Sequence, residues 1–251
     1  MTATATPRRA AARRPSLRVE RTLQREGYGV LVGMDEVGRG ALAGPVTVGV
    51  VAIDTSCRTA PAGVRDSKLL APAARERLAP RIRRWCLGHG VGHASAAEID
   101  DIGIMAALRL AGERALAQLD LRPDLVLLDG NHDWLTDPRR VGLLALTEDT
   151  APPPPVRTMI KADLRCSSVA AASVLAKVTR DALMVELAPG HAAYRWEQNK
   201  GYAAPEHLDA LRALGPSDHH RRSWRITGNG VVTGHGVVAG TGIGTDEGGL
   251  L

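Results

Sequence analysis

Four acidic residues stand at or close to the ends of short apolar runs in this sequence. Asp35 and Glu36 follow the run VLVGM, Asp129 follows LVLL, and Asp163 follows VRTMI after one lysine and one alanine. Ligands gather at strand ends in open α/β folds, and carboxylates that meet there repel one another unless cations lie between them. Hard divalent cations prefer such oxygen ligands. The pattern therefore predicts a site for Mg²⁺ or Mn²⁺.

Each acidic residue also has a simpler explanation when it is taken alone. An aspartate before a glycine at a strand end, as in Asp129-Gly130, is typical of a turn. Asp163 precedes a predicted helix, where the helix dipole stabilises a negative charge. The Asp35-Glu36 pair is compatible with a solvated strand end. The metal-site interpretation therefore requires that all four residues converge.

The adjacency of Asp35 and Glu36 constrains the backbone around them. Neighbouring residues of a regular strand point to opposite faces, so both reach one site only if the strand ends or bends there. We expect the segment VGRG that follows to supply this break. Gly38 and Gly40 would also let the backbone approach a sugar-phosphate closely, with Arg39 contacting a phosphate.

Apolar patterning predicts the elements that position these residues. Residues 28–34 and 45–53 have the pattern of two strands that form an antiparallel pair. Residues 72–87 have a helical pattern, which Pro80 should kink or split.

A second helix is predicted from Ser95 and Glu98, which have the spacing of a capping box. One continuous helix is expected from there. Its apolar positions on a single face are Met105, Leu108, Leu116 and Leu119.

The second half of the chain alternates strands and helices. Residues 125–128 and 156–160 are predicted strands, the second preceded by the stiff connector APPPP, and residues 167–187 and 205–214 are predicted helices. The longer helix contains the segment AAAS, whose side chains are small enough for close packing on a sheet. This order predicts an α/β or α+β domain with a mixed sheet.

Composition limits the class of protein. The chain has 251 residues and a net charge of +5, and its pI is about 9.5. These values suit a polyanionic partner, although an arginine-rich codon bias explains them equally well. Three unpaired cysteines and the lack of a signal or membrane segment favour the cytoplasm. We expect a disordered basic arm over residues 1–17, a catalytic domain over 18–225 and a flexible Gly-rich tail over 226–251.

Five motifs in order resemble bacterial ribonuclease HII, the type 2 ribonuclease H family, from about residue 29 to 224. They are GMDEVGRGALAGPV at 33–46, RDSKLL at 65–70, LLDGN at 127–131, KADLRCSSVAAASVLAKVTRD at 161–181 and NKGYAAPEHLDALRALGPSDHHRRSW at 199–224. The chain departs from the family pattern at Ala162, where a glycine is expected, and in the APPPP run, which resembles an insertion.

The resemblance implies a ribonuclease H-like α/β fold, with a mixed central sheet flanked by helices and a helical C-terminal extension. It also implies an endoribonuclease that hydrolyses the RNA strand of RNA/DNA hybrids and incises 5′ to ribonucleotides embedded in duplex DNA. The ends would be 3′-hydroxyl and 5′-phosphate, produced by a two-metal-ion mechanism with Mg²⁺ or Mn²⁺.

The same resemblance assigns roles to particular positions. The family's acidic metal ligands correspond to Asp35, Glu36, Asp129 and Asp163. The motif that senses the ribose 2′-hydroxyl, the feature that distinguishes RNA from DNA, corresponds to Gly38, Arg39 and Gly40. The tyrosine that stacks on the sugar beside the cleavage point corresponds to Tyr202.

Other residues have weaker assignments. Lys68 and Lys161 either touch a phosphate or only offset the carboxylates. Asp181 is better explained by an i,i+4 pair with Lys177 than as a distant outer ligand.

Two other functions are weighed against this one. A resolvase or integrase on the same fold would have no reason to carry the glycine-arginine-glycine motif together with Tyr202. A noncatalytic duplex-binding protein would be expected to lack at least one carboxylate. Nothing in the sequence requires more than a monomer.

Overall fold

The computed structural model describes residues 14–137, 154–227 and 230–232. Its helices are α1 (Arg18–Arg25), α2 (Pro72–Trp85), α3 (Ala96–Ile102), α4 (Ile104–Leu116), α5 (Ser167–Leu187), α6 (Trp196–Asn199) and α7 (Pro205–Leu214). Its strands are β1 (Leu31–Val37), β2 (Val46–Ile53), β3 (Gly88–Ala94), β4 (Leu125–Asp129), β5 (Val156–Met159), β6 (Arg225–Thr227) and β7 (Gly230–Val232). No helix in these ranges is long and apolar enough to cross a bilayer.

A five-stranded mixed sheet in the order β3-β2-β1-β4-β5 forms the centre of the fold. β1 pairs antiparallel with β2, and β2 pairs antiparallel with β3. β1 and β4 run parallel, with Leu31 opposite Leu125 and Met34 opposite Leu128, and β5 runs parallel to β4. The predicted mixed sheet is confirmed. The parallel register brings the carboxyl ends of β1 and β4 to the same edge.

Side chains of β1 alternate between two apolar cores. Leu31 packs into the core that contains α2 and α5. Val32 and Met34 point to the other face, into the core that contains α4. Because the period of a strand is two, Asp35 then falls on the α5 side of the sheet and Glu36 on the opposite side.

Helix α5 packs very closely against β1 and β2. A Cβ on Gly33 would overlap the backbone of Ser168, and a Cβ on Gly49 would lie 2.5 Å from the carbonyl oxygen of Ala172. Glycine in the strands and small residues in the helix therefore let the two backbones approach. This is the close packing that the AAAS segment predicts.

Two helix predictions are wrong in detail. The predicted split at Pro80 is wrong, because α2 is one helix from Pro72 to Trp85: a proline removes a single donor, and the helix stays anchored by its buried face. The expected single helix after Ser95 is two helices, because Gly103 adopts φ +79° between α3 and α4. The capping box itself is confirmed: Ser95 Oγ accepts the N–H of Glu98 at 3.2 Å, and Glu98 Oε2 accepts the N–H of Ser95 at 2.8 Å.

The predicted tails overlap with ordered structure. Part of the basic arm is described, and the N–H of Ser16 donates to the carbonyl of Arg165 at 3.1 Å. β6 and β7 form an antiparallel ribbon at the start of the predicted tail. Residues 1–13, 138–153, 228–229 and 233–251 lie outside the described ranges, including most of the proline connector.

We predict that Gly49→Ala destabilises the fold because its new methyl group must displace the backbone of α5. Overpacking of this kind costs about 1–3 kcal/mol. Urea denaturation should show a lower free energy of unfolding. Gly190→Ala is the matched control, since no atom lies within 4 Å of a Cβ built there. Equal stability of the two variants would contradict the packing described above.

Candidate active site

Three segments bring the four predicted carboxylates to one edge of the sheet. Asp35 and Glu36 lie inside β1, and Asp129 is the last residue of β4. Asp163 lies in a short 3-10 turn, Ala162–Leu164, that follows β5. β1 stays paired with β2 through Val37, so the strand ends directly after the acidic pair.

The backbone break comes at Gly38, which adopts φ +82°, within the segment VGRG that was expected to supply it. Asp35 and Glu36 therefore reach the same edge from opposite faces of a regular strand. Glu36 still interacts electrostatically with Asp129, as Asp35 does. Both side chains lie at this edge because they are close to the end of the strand. No bend between the two residues is needed.

Electrostatic interactions link the four carboxylates, and two of them are buried. Asp35 and Asp163 are each only 6% exposed. Burial raises the pKa of Asp35 well above its usual value, and Glu36, Asp129 and Asp163 raise it further. Burial and then Asp129 raise the pKa of Asp163 to about 6. Burial also raises the pKa of Glu36, with Asp129 adding to the effect.

Backbone N–H groups hold some of these oxygens. Asp129 Oδ1 accepts the N–H of Ala162 at 2.6 Å, which ties the end of β4 to the turn that carries Asp163. Asp35 Oδ1 accepts the N–H of Glu36 at 2.9 Å. Across residues 14–137, 154–227 and 230–232, no three carboxylate, imidazole or thiol groups are oriented as a ready ligand set for one ion.

The composition of the cluster fits a hard divalent cation. Its ligands are carboxylate oxygens, which suit Mg²⁺ or Mn²⁺. A cation among them would relieve the repulsion that raises the pKa of Asp35 and Asp163. The described residues near the cluster offer no thiolate suited to a softer metal, since burial raises the pKa of Cys166 to about 12.

The predicted basic residues lie on segments that flank the carboxylates. Burial lowers the pKa of Lys68, but Asp35 and the other nearby carboxylates outweigh burial and leave it raised, so the amine stays charged. Arg39 is exposed, with Nη1 3.6 Å from Glu36 Oε1. Lys161 is exposed as well and precedes the turn of Asp163 with φ +57°.

The glycine-arginine-glycine loop contacts the predicted tyrosine directly. The N–H of Gly38 donates to the hydroxyl of Tyr202 at 3.1 Å. A Cβ on Gly38 would overlap the guanidinium of Arg180, whereas Gly40 has open space around it. Arg180 lies 5.3 Å and Lys177 5.6 Å from the centre of the Tyr202 ring. The structure therefore joins two motifs that are far apart in sequence.

Two buried arginines clamp this loop, and sequence reasoning missed both. Arg180 donates to the carbonyls of Pro45 (2.8 Å), Lys200 (2.9 Å) and Ala43 (3.0 Å). It is fully buried. In a basic chain, an arginine inside a helix is predicted to lie on the surface. Only its place in a motif could have indicated another role.

Arg221 is the second arm of the clamp. It donates to the carbonyls of Gly38 at 2.6 Å, Arg39 at 2.8 Å and Gly44 at 3.2 Å. Burial, together with the positive charge of Arg180, lowers the pKa of Arg221 to about 9. Backbone carbonyls rather than carboxylates therefore compensate two buried positive charges.

Other residues of the matched region have structural partners. Asp181 Oδ1 lies 2.7 Å from Lys177 Nζ, which confirms the i,i+4 interpretation. His207 and His220 are buried, with their Nε2 atoms 2.9 Å apart. His219 packs edge-on against the ring of His191. The sequence analysis assigns no catalytic role to these histidines.

Solved structures share this fold. Ribonuclease H2 from Pyrococcus horikoshii OT3 has a TM-score of 0.59 and 27% sequence identity, covering 78% of this chain and 93% of that chain. The RNase HII of Archaeoglobus fulgidus, solved in a complex with PCNA, has a TM-score of 0.60 and 27% identity, covering 79% and 96%. The sheet, its helices and the acidic edge thus define a protein of the ribonuclease H class.

Similar sequences identify the family within this class. The family model of Ribonuclease HII matches residues 32–227. Ribonuclease HII of Streptomyces coelicolor is 48% identical over 211 residues, covering 84% of this chain and 83% of the relative. Ribonuclease HII of Paracoccus denitrificans is 44% identical over 210 residues, covering 84% and 91%. The chain belongs to the ribonuclease HII family and is a ribonuclease H enzyme.

We predict that Arg180→Lys lowers the free energy of unfolding by about 1–3 kcal/mol. A lysine amine cannot reproduce the planar fork that serves three carbonyls, and a buried acceptor left unsatisfied costs about this much. Urea denaturation measures the change. Arg212→Lys, at an exposed pair with Asp209, is the matched control and should change stability little. Similar values for both variants would exclude a clamping role for Arg180.

Proposed function

We propose that this enzyme hydrolyses the RNA strand of RNA/DNA hybrids and incises 5′ to ribonucleotides embedded in duplex DNA. Its products would carry 3′-hydroxyl and 5′-phosphate ends. One observation carries the proposal: the four carboxylates lie beside a glycine-arginine-glycine loop that is hydrogen-bonded to Tyr202. A site for cleaving phosphodiesters thus adjoins a backbone suited to reading a sugar.

The carboxylates would hold two divalent cations, Mg²⁺ or Mn²⁺. The ligands are Asp35, Glu36, Asp129 and Asp163. Such cations, when bound, activate a water for in-line attack and stabilise the leaving 3′ oxygen. No side-chain nucleophile is then required. The tie from Asp129 to the N–H of Ala162 and the place of Asp35 in β1 hold ligands on regular backbone rather than on a free loop.

The clamp directs the loop backbone toward a substrate. A trans peptide places its N–H opposite its C=O. Because Arg221 binds the carbonyls of Gly38 and Arg39, the N–H groups of Arg39 and Gly40 point away from it. Gly40 has no atom within 4 Å of a Cβ position, so a sugar has room to approach. A 2′-hydroxyl both donates and accepts hydrogen bonds, which gives this backbone a specific group to read.

Charged side chains around the site would bind phosphates. Arg39 is exposed at the loop, and Lys161 is exposed beside the turn of Asp163. Lys68 stays charged among the carboxylates, where it offsets their repulsion. The ring of Tyr202 would stack on the sugar next to the cleavage point. We further propose that the enzyme acts as a monomer in the cytoplasm, and its free thiols Cys57, Cys86 and Cys166 support a reducing compartment.

We predict that native protein with Mg²⁺ or Mn²⁺ incises a labelled DNA duplex 5′ to its single ribonucleotide, and that a chelator stops the reaction. Asp129→Asn should lower the rate at least about 100-fold, because loss of a ligand removes several kcal/mol of transition-state stabilisation. Asp209→Asn makes the same chemical change on an exposed helix surface and should leave the rate unchanged. A native protein that bound the duplex and a long hybrid without cutting either would support the noncatalytic alternative.

We predict a smaller effect for Tyr202→Phe. The ring remains for stacking, but the N–H of Gly38 loses its acceptor, a hydrogen bond worth about 1 kcal/mol. The rate of incision at a single ribonucleotide should fall about fivefold, measured under single-turnover conditions. Tyr202→Ala should lose considerably more. Equal rates for the two variants would show that the hydroxyl, not the ring, carries the function of this residue.

A further inference from the structure

Helix α5 takes the cap of its first turn from a distant part of the chain. The side chain of its own N-cap residue, Cys166, makes no capping hydrogen bond. Instead, Glu20 Oε1 of α1 accepts the N–H of Ser168 at 2.9 Å and its hydroxyl at 3.0 Å. The two residues are 148 positions apart. Glu20 is fully buried, so this contact is part of the core.

A second contact fixes the same segment. The N–H of Ser16 donates to the carbonyl of Arg165 at 3.1 Å, and Ser16 forms an isolated parallel bridge with Cys166. The N–H of Cys166 in turn donates to the carbonyl of Ala162 at 2.7 Å, inside the turn of Asp163. Residues 16–20 therefore lie alongside the backbone that links Asp163 to α5.

Ser168 also contacts β1, the strand that carries Asp35 and Glu36. Gly33 packs directly on the backbone of Ser168, and Gly33 is two residues before Asp35. Any shift of the first turn of α5 would thus change the spacing between the Asp163 turn and β1. Ser168 lies between the carboxylate of Glu20 on one side and β1 on the other.

Burying the carboxylate of Glu20 is energetically unfavourable if the residue serves only as a helix cap. Its Oε2 atom is buried without a hydrogen-bond partner, and an unsatisfied buried oxygen is unfavourable. A serine, aspartate or asparagine at the N-cap position would provide a local cap more simply. The long-range carboxylate adds what a local cap does not, because it couples α1 to the first turn of α5.

We infer that Glu20 is a positioning residue for the metal site, setting the place of Asp163 relative to Asp35 through the first turn of α5. Helix α1, which lies outside the matched range 32–227, then contributes to the function of the catalytic domain. This inference rests on the proposed function, since it assumes that the carboxylates bind divalent cations. Residues that orient metal ligands typically change metal affinity 10- to 100-fold when they are replaced.

The test measures Mn²⁺ binding by calorimetry on the full chain without substrate. Glu20→Ala should weaken Mn²⁺ binding about tenfold or more. Glu20→Gln should have a smaller effect, because its amide oxygen still accepts the Ser168 N–H. In activity assays, excess Mn²⁺ should restore the kcat of both variants, while the KM for the nucleic acid stays unchanged.

Leu23→Ala is the matched control, since Leu23 is a buried residue of the same helix whose side chain has no polar group that could cap Ser168. It should lower the urea midpoint and leave Mn²⁺ affinity unchanged. If Leu23→Ala weakened Mn²⁺ binding as much as Glu20→Ala, the role of Glu20 would be general stability and the inference would be overturned.

The remaining outcomes are also decisive. Native-like Mn²⁺ affinity in both Glu20 variants overturns the inference and leaves the proposed function intact, provided that the native chain binds Mn²⁺ and cleaves. A native chain that does neither overturns the proposed function and this inference with it. If Glu20→Ala does not fold, the affinity of Glu20→Gln relative to Leu23→Ala decides.

Discussion

The close approach of α5 to β1 and β2 is the constraint on which the rest of the structure depends. Gly33 and Gly49 remove the side chains that would hold the helix away. The helix then places Ser168 against β1, Ser173 near Asp35 and Arg180 under the loop that follows. One helix thereby aligns the acidic edge and the glycine-arginine-glycine loop, and the small residues along it are a condition of this packing.

At this site, buried positive and negative side chains do not pair with each other, as buried charges usually do. Buried carboxylates are gathered at the ends of strands, while Arg180 and Arg221 are buried nearby without a carboxylate partner in the hydrogen bonds they make. Pairing the two groups would neutralise both and free the loop. The arginines instead use their charge to hold backbone carbonyls.

Patterning was sufficient to predict the mixed sheet, because runs of β-branched residues are local features. It also places the four acidic residues at or near strand ends, where their role as metal ligands stays a prediction. Local signals were less reliable for helices: Pro80 does not interrupt α2, and Gly103 divides a helix that apolar periodicity predicts as one. The contacts of Glu20, Arg180 and Arg221 join segments far apart in the chain. No pattern of spacing contains them, since each depends on the final packing of α5 and its neighbours.

The long sequence separation between Glu20 and Ser168 has a consequence for synthesis on the ribosome. The first helix emerges early, yet its buried carboxylate has no partner until the segment after Asp163 has also emerged. The acidic residues of β1 likewise precede Asp163 by more than half of the chain. A nascent chain therefore carries an incomplete set of the proposed cation ligands for most of its translation. The tertiary contact between α1 and α5 likewise forms only after most of the chain has been made.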